Sequence, residues 1–156
     1  MYRNHGVADV AGGTSPAAIE GRLSKLAGQI QSGDRLFIYA TGHGGAATGE
    51  YDDFEENYED YYGEDYAEHY QRWAAAEETE NQYDTTYYLW NLETVAASEL
   101  AAWLDRLPSD VTVVLVMVQC YSGGFSHVIF HQADETLGLA PQKRCGFFSQ
   151  VHDRPG

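Results

Sequence analysis

The run Val111-Thr112-Val113-Val114-Leu115-Val116-Met117-Val118 constrains this chain more than any other stretch. It is β-branched, uninterrupted and too short for a helix of average length, so it reads as a strand. Its unbroken apolar character is that of a strand buried on both faces, as in a parallel sheet covered by helices. Leu36-Phe37-Ile38-Tyr39-Ala40 has the same character on a shorter scale. Each run then ends in a reactive residue type followed by glycine: Thr41-Gly42-His43-Gly44-Gly45 after the first, Gln119-Cys120-Tyr121-Ser122-Gly123-Gly124 after the second.

Helical periodicity fills the spaces between strands. Ser15 to Gln31 reads as an amphipathic helix, with Ser15 as N-cap and Pro16 at the first helical position. Ile19, Leu23, Leu26 and Ile30 recur on one side of it, and Gly33 ends it. Ala96 to Leu107 is a second helix, with Ser98 as N-cap, Leu100, Trp103, Leu104 and Leu107 on one face, and Pro108 as the stop. Asp84 to Val95 has the residues of a small hairpin or strand pair. His127 to Thr136 is read as a helix, and Cys145 to Val151 as a third buried strand. Helix and strand in alternation predict an α/β fold with a mainly parallel central sheet, right-handed crossovers and helices on both faces.

In such sheets ligands bind beyond the C-terminal strand ends. His43, Cys120 and the segment His152-Asp153 all follow strand ends on that edge. A free thiol has a pKa near 8.5, so little is thiolate at neutral pH. An adjacent imidazole can take its proton and later protonate a leaving amine. The absence of a Cβ at Gly44 and Gly45 lets a substrate carbonyl come close to the backbone. The N–H groups of Gly44 and Cys120 are then candidates to stabilise a tetrahedral oxyanion, a contribution of about 2.7–4 kcal/mol per donor.

The net charge of −15 over 156 residues argues against a nucleic-acid surface, which needs clustered Lys and Arg, and against anionic membranes. No stretch reaches the roughly 20 apolar residues of a membrane helix. A basic polypeptide partner or a metal cation fits the sign of the charge, although most acidic residues simply solvate a surface. Two cysteines do not make a disulfide framework, and the sequence leaves the compartment open. The length suits one domain spanning 1–156. Within it, about residues 47–82 form an acidic, tyrosine-rich insertion, with helical character around Tyr66 to Glu78. The insertion does not match calcium-loop spacing. No cofactor is expected, and calcium-dependent ordering of the insertion is retained as an alternative to a solvated excursion.

With the two strand-end motifs in hand, the chain resembles the caspase–legumain superfamily of cysteine endopeptidases (clan CD), nearer its bacterial caspase-like and legumain-like members. The resemblance covers roughly Gly12 to Pro155 without the insertion. It implies a three-layer α/β/α caspase-like fold, with Cys120 as nucleophile and His43 as general acid/base. It also implies an oxyanion site at Gly44 and Cys120, a thioester acyl-enzyme and a polypeptide substrate. Gln119, Ser149, Gln150, His152 and Asp153 then fall at the substrate-binding positions, where Asp153 would favour a basic residue. Two departures stand out. Gly42 occupies a position where relatives often carry Ser or Asp. The family domain also begins with strands ahead of the first helix seen here, so a domain truncated at both ends is expected.

Other readings of the same residues are a catalytically inactive caspase-like module that binds peptides or proteins, and thiol-hydrolase or transpeptidase chemistry on the same dyad. A metal site drawn from His127, His131, Cys120 and Cys145 does not match common zinc spacing, so no metal is assigned. Cys145 is expected to be a small buried hydrophobe in its strand.

Overall fold

The computed structural model describes residues 13–47 and 83–153. The first helix, α1, runs Pro16–Ala27, with Ser15 Oγ accepting from the Ala18 N–H at 3.2 Å and proline at the helix start. It ends earlier than expected. Gly28 caps it, and Gly33 (φ +82°) lies in the turn that leads into strand β1, Arg35–Thr41. A two-residue strand β2, Gly44–Gly45, follows at once. Past the insertion come β3 (Thr86–Tyr88) and β4 (Thr94–Ala96), then α2 (Ala97–Leu104), β5 (Thr112–Val118) and β6 (Lys143–Phe148).

Two sheets result. The larger has the order β1-β5-β6, all parallel. The smaller is antiparallel with the order β2-β3-β4. The hairpin expected over 84–95 is therefore present and carries β2 as a third strand. The α/β class and the parallel sheet agree with the sequence reading.

Leu36, Ile38 and Ala40 of β1 and Val113, Leu115 and Met117 of β5 face one core with Leu23 of α1 and Ala97, Leu100, Ala101 and Leu104 of α2. Fully burying a valine, leucine or methionine of this set is worth about 1.5–3 kcal/mol. The second face of the sheet is different. Phe37, Tyr39 and Phe147 stand 59–68% exposed there, and no helix covers them among the described residues. The strand order explains the asymmetry. It follows chain order, and right-handed crossovers that advance in one direction all return over the same face.

Four local expectations are corrected. Ser98 is not the N-cap of α2. The Asp84 carboxylate, from outside the helix, accepts from both the Ser98 N–H (2.7 Å) and its hydroxyl (2.8 Å), and Glu99 accepts from the Ala96 N–H. The segment 127–136 is not a helix but three short 3-10 turns, Ser122–Ile129, His131–Ala133 and Glu135–Leu137. Phe130 is extended between the first two, and Gln132 and Ala133 have positive φ. The third strand begins at Lys143 rather than Cys145. Cys145 itself is exposed, because the row of β6 that faces the core is Arg144, Gly146 and Phe148. The expected insertion, apart from Ala47, lies outside the described residues, as does its helix around 66–78.

Candidate active site at the strand ends

The register of the parallel pair builds the site. β1 and β5 run flush to their last rung, Thr41↔Val118, and His43 and Cys120 each stand two residues beyond it. The two glycine-flanked turns therefore leave the sheet side by side. Gly44 lies so close to the Cys120 backbone that a methyl group built there would collide with the Cys120 carbonyl oxygen and come within 2.8 Å of Gln119 Cγ. Only glycine lets the histidine turn sit against the cysteine turn in this way. His43 is exposed and Cys120 is partly buried.

The small antiparallel sheet holds the histidine turn. The Tyr88 N–H donates to the His43 carbonyl at 3.0 Å, and the Tyr87 hydroxyl donates to the Thr41 carbonyl at 2.8 Å. The bond from Tyr88 to His43 flanks the Gly44↔Tyr87 rung. Such a rung is a non-hydrogen-bonded pair, so the ladder does not use the Gly44 N–H. Burial holds the Tyr87 phenol above its ordinary pKa, opposed by its bond to Thr41, so it is a donor at neutral pH.

The cysteine turn is strained in a useful place. Tyr121, directly after Cys120, has φ +56° and ψ +16° and is 7% exposed. A bulky residue held in the left-handed region costs about 1–3 kcal/mol and persists only where its surroundings fix it. Ser122 supplies part of that fixing. Its hydroxyl accepts from the Gln150 N–H at 3.1 Å and lies 3.5 Å from Ser149 Oγ. The Ser149 hydroxyl also donates to the Gln119 carbonyl at 3.4 Å. Gly123 packs directly under the backbone of Gln150, Val151 and His152.

The segment after β6 thus lies against the cysteine turn, as the sequence reading required. The polar atoms of Ser149 and Gln150 named here are engaged in that attachment. His152 tilts against Tyr83 at a ring distance of 4.6 Å, and Asp153 is exposed. Gln119 is 4% exposed, and neither atom of its side-chain amide has a hydrogen-bond partner among the described residues.

Two other described histidines stand away from the cysteine turn. His127 stacks on Tyr83 at 3.8 Å. Burial pushes its pKa down; Glu135 opposes this and His152 adds to it. His131 Nδ1 meets Asp105 Oδ2 at 2.6 Å, within a network where Arg144, with no exposed side-chain surface, pairs with the same carboxylate. Among the described residues no three His, Cys, Asp or Glu side chains form a group able to hold a metal ion. Nor is any helix there long and apolar enough to cross a membrane.

Sequence reasoning missed Tyr87 and Tyr88 as supports of the site. The aromatic strand was visible, but its partner is two glycines, which carry no strand propensity.

No protein-family model matches the chain, and no curated protein matches it. Among solved structures it is similar to the crystal structure of protein GSU0716 from Geobacter sulfurreducens, with 16% identity and a TM-score of 0.44. That match covers 83% of this chain and 41% of the Geobacter chain, so this chain spans about two fifths of its neighbour's length.

Proposed function

We propose that this chain carries the catalytic dyad of a cysteine endopeptidase with a caspase-like arrangement, Cys120 being the nucleophile and His43 the general acid/base. The observation that carries the reading is the juxtaposition at the strand ends. Two turns leave adjacent parallel strands from the same rung, and Gly44 is pressed against the Cys120 backbone.

In this reading His43 takes the Cys120 thiol proton as the sulfur attacks a peptide carbonyl. The C–S bond forms and the carbonyl π pair moves to oxygen. The Gly44 N–H, which the β2–β3 ladder does not use, and the Cys120 N–H face that oxyanion. Collapse breaks the C–N bond, and the leaving amine receives the proton from His43. A thioester remains. Water, deprotonated by His43, attacks it; a carboxylic acid leaves and the thiol is restored. The polypeptide substrate is held along the segment from Ser149 to Asp153, which is tied to the Gln119 backbone through the Ser149 hydroxyl; the Gln119 side chain lies against the Gly44 turn. The full three-layer fold of the resemblance belongs to this proposal as well.

The test is cleavage of a proteome-derived peptide mixture, read by mass spectrometry. The wild-type chain should generate new termini with one dominant side chain before the cut, and Cys120→Ala should generate none while keeping its circular-dichroism spectrum. Equal cleavage by Cys120→Ala defeats the proposal. A folded chain that cleaves nothing leaves the non-catalytic peptide-binding module as the reading to adopt.

A further inference from the structure

We propose that Tyr87 is the positioning residue of this site: its hydroxyl, bonded to the backbone of β1, sets where His43 stands relative to Cys120. The inference rests on the dyad reading above and names a residue that reading does not include.

The turn that carries His43 has no side chain of its own to orient it, since glycines flank the histidine on both sides. Its geometry is imposed from β3. The Tyr87 hydroxyl donates to the Thr41 carbonyl at 2.8 Å, at the last residue of β1. Gly42 then takes φ +153°, and a Cβ placed there would lie 3.3 Å from the same hydroxyl oxygen. One residue on, the Tyr88 N–H holds the His43 carbonyl. Gly44 is paired with Tyr87 on one side and pressed against the Cys120 backbone on the other.

The chain from Thr41 to Gly44 is therefore measured against β3. The Tyr88 N–H fixes the His43 carbonyl, and the Tyr87 side chain fixes Thr41, where the turn begins. Backbone pairing survives most substitutions of Tyr87, but the anchor on Thr41 needs a phenol hydroxyl. The donor comes from 46 positions away in sequence.

Tyr87→Phe keeps the ring and the strand pairing and deletes only the anchor. Tyr39→Phe, on the exposed face of the sheet, is the control for loss of a phenol. Two readouts are needed. In histidine-labelled protein, the imidazole resonances of His43 should shift and broaden in Tyr87→Phe while those of His131 stay fixed. Alkylation of Cys120 by iodoacetamide, followed against pH, should move from the wild-type profile toward that of His43→Ala. Labelling by a peptidyl electrophile should fall about tenfold, since a misplacement of about 1 Å can cost up to about 10²-fold.

Unchanged His43 resonances in Tyr87→Phe overturn the positioning inference, whatever the thiol does. An alkylation profile that His43→Ala leaves untouched overturns the dyad reading instead, and the resonances then decide the positioning role by themselves.

Discussion

Gly44→Ala asks the most of the proposed geometry for the fewest atoms. The added Cβ would sit 2.8 Å from Gln119 Cγ and 3.1 Å from the Cys120 carbonyl carbon, and nearer still to the carbonyl oxygen. Carbon atoms in contact prefer about 3.5–4.0 Å, so the histidine turn must move away from the cysteine turn by about 1 Å. The neighbours cannot absorb this. Two are backbone atoms of Cys120, and Gln119 is buried. Overpacking of this kind costs about 1–3 kcal/mol in stability. For a chain of this size that lowers the melting temperature by about 2–12 °C. The effect on chemistry should be larger, because a shift of about 1 Å between reacting groups costs up to about 100-fold.

The assay compares the rates at which Cys120 reacts with a peptidyl electrophile and with iodoacetamide. The first should fall about 100-fold in Gly44→Ala, and the second should change by a few-fold at most. Peptidyl labelling at the wild-type rate would refute the argument that the Gly44–Cys120 contact holds the dyad together.

Three further outcomes follow from other parts of the molecule. Gly21→Ala, in α1 where a Cβ meets nothing within 4 Å, should stabilise by about 0.5–1 kcal/mol and raise the melting temperature by about 1–4 °C. Arg144→Met leaves the Asp105 carboxylate without its guanidinium. Breaking such a pair costs about 3–5 kcal/mol. The lower end applies, because Asp105 keeps His131 Nδ1 and the Gln132 N–H, and the melting temperature should drop by about 6–12 °C. Burial holds the His127 pKa below its ordinary 6.5, so the folded state binds this proton less readily than the unfolded chain. Its stabilising contribution is complete above that value and is lost as pH falls through 6.5 toward the folded pKa. Thermal melts should show that loss, and His127→Phe, which keeps a ring against Tyr83, should flatten it.

What the sequence disclosed follows from which forces are local. Ser15 and Pro16 announce α1, because capping and a fixed φ act over one turn. The apolar runs announce β1 and β5, and their flush register brings His43 beside Cys120 as the strand ends implied. The parts that stayed hidden depend on distant partners. β2 is two glycines and exists only because β3 pairs with it. Asp84 caps a helix 13 residues away from its own position. Cys145 was placed inside on apolar character alone. In fact Arg144 takes the core-facing row of β6, because Asp105 neutralises it there, and the alternation of the strand then turns Cys145 outward. The tethering of Ser149 and Gln150 to Ser122 was equally illegible, since each hydrogen bond spans 27 or 28 positions.

The two cysteines supply the most direct measurement of the central claim. Cys145 is exposed and stands in a strand; Cys120 is partly buried and stands beside the His43 turn. The chain should be treated with a peptidyl electrophile at less than one equivalent, and the modified residue located by tandem mass spectrometry in wild-type and His43→Ala protein. The dyad predicts modification at Cys120 ahead of the more accessible Cys145, with that preference lost in His43→Ala. Preferential modification of Cys145 in the wild-type chain, or a Cys120 preference indifferent to His43, would contradict it.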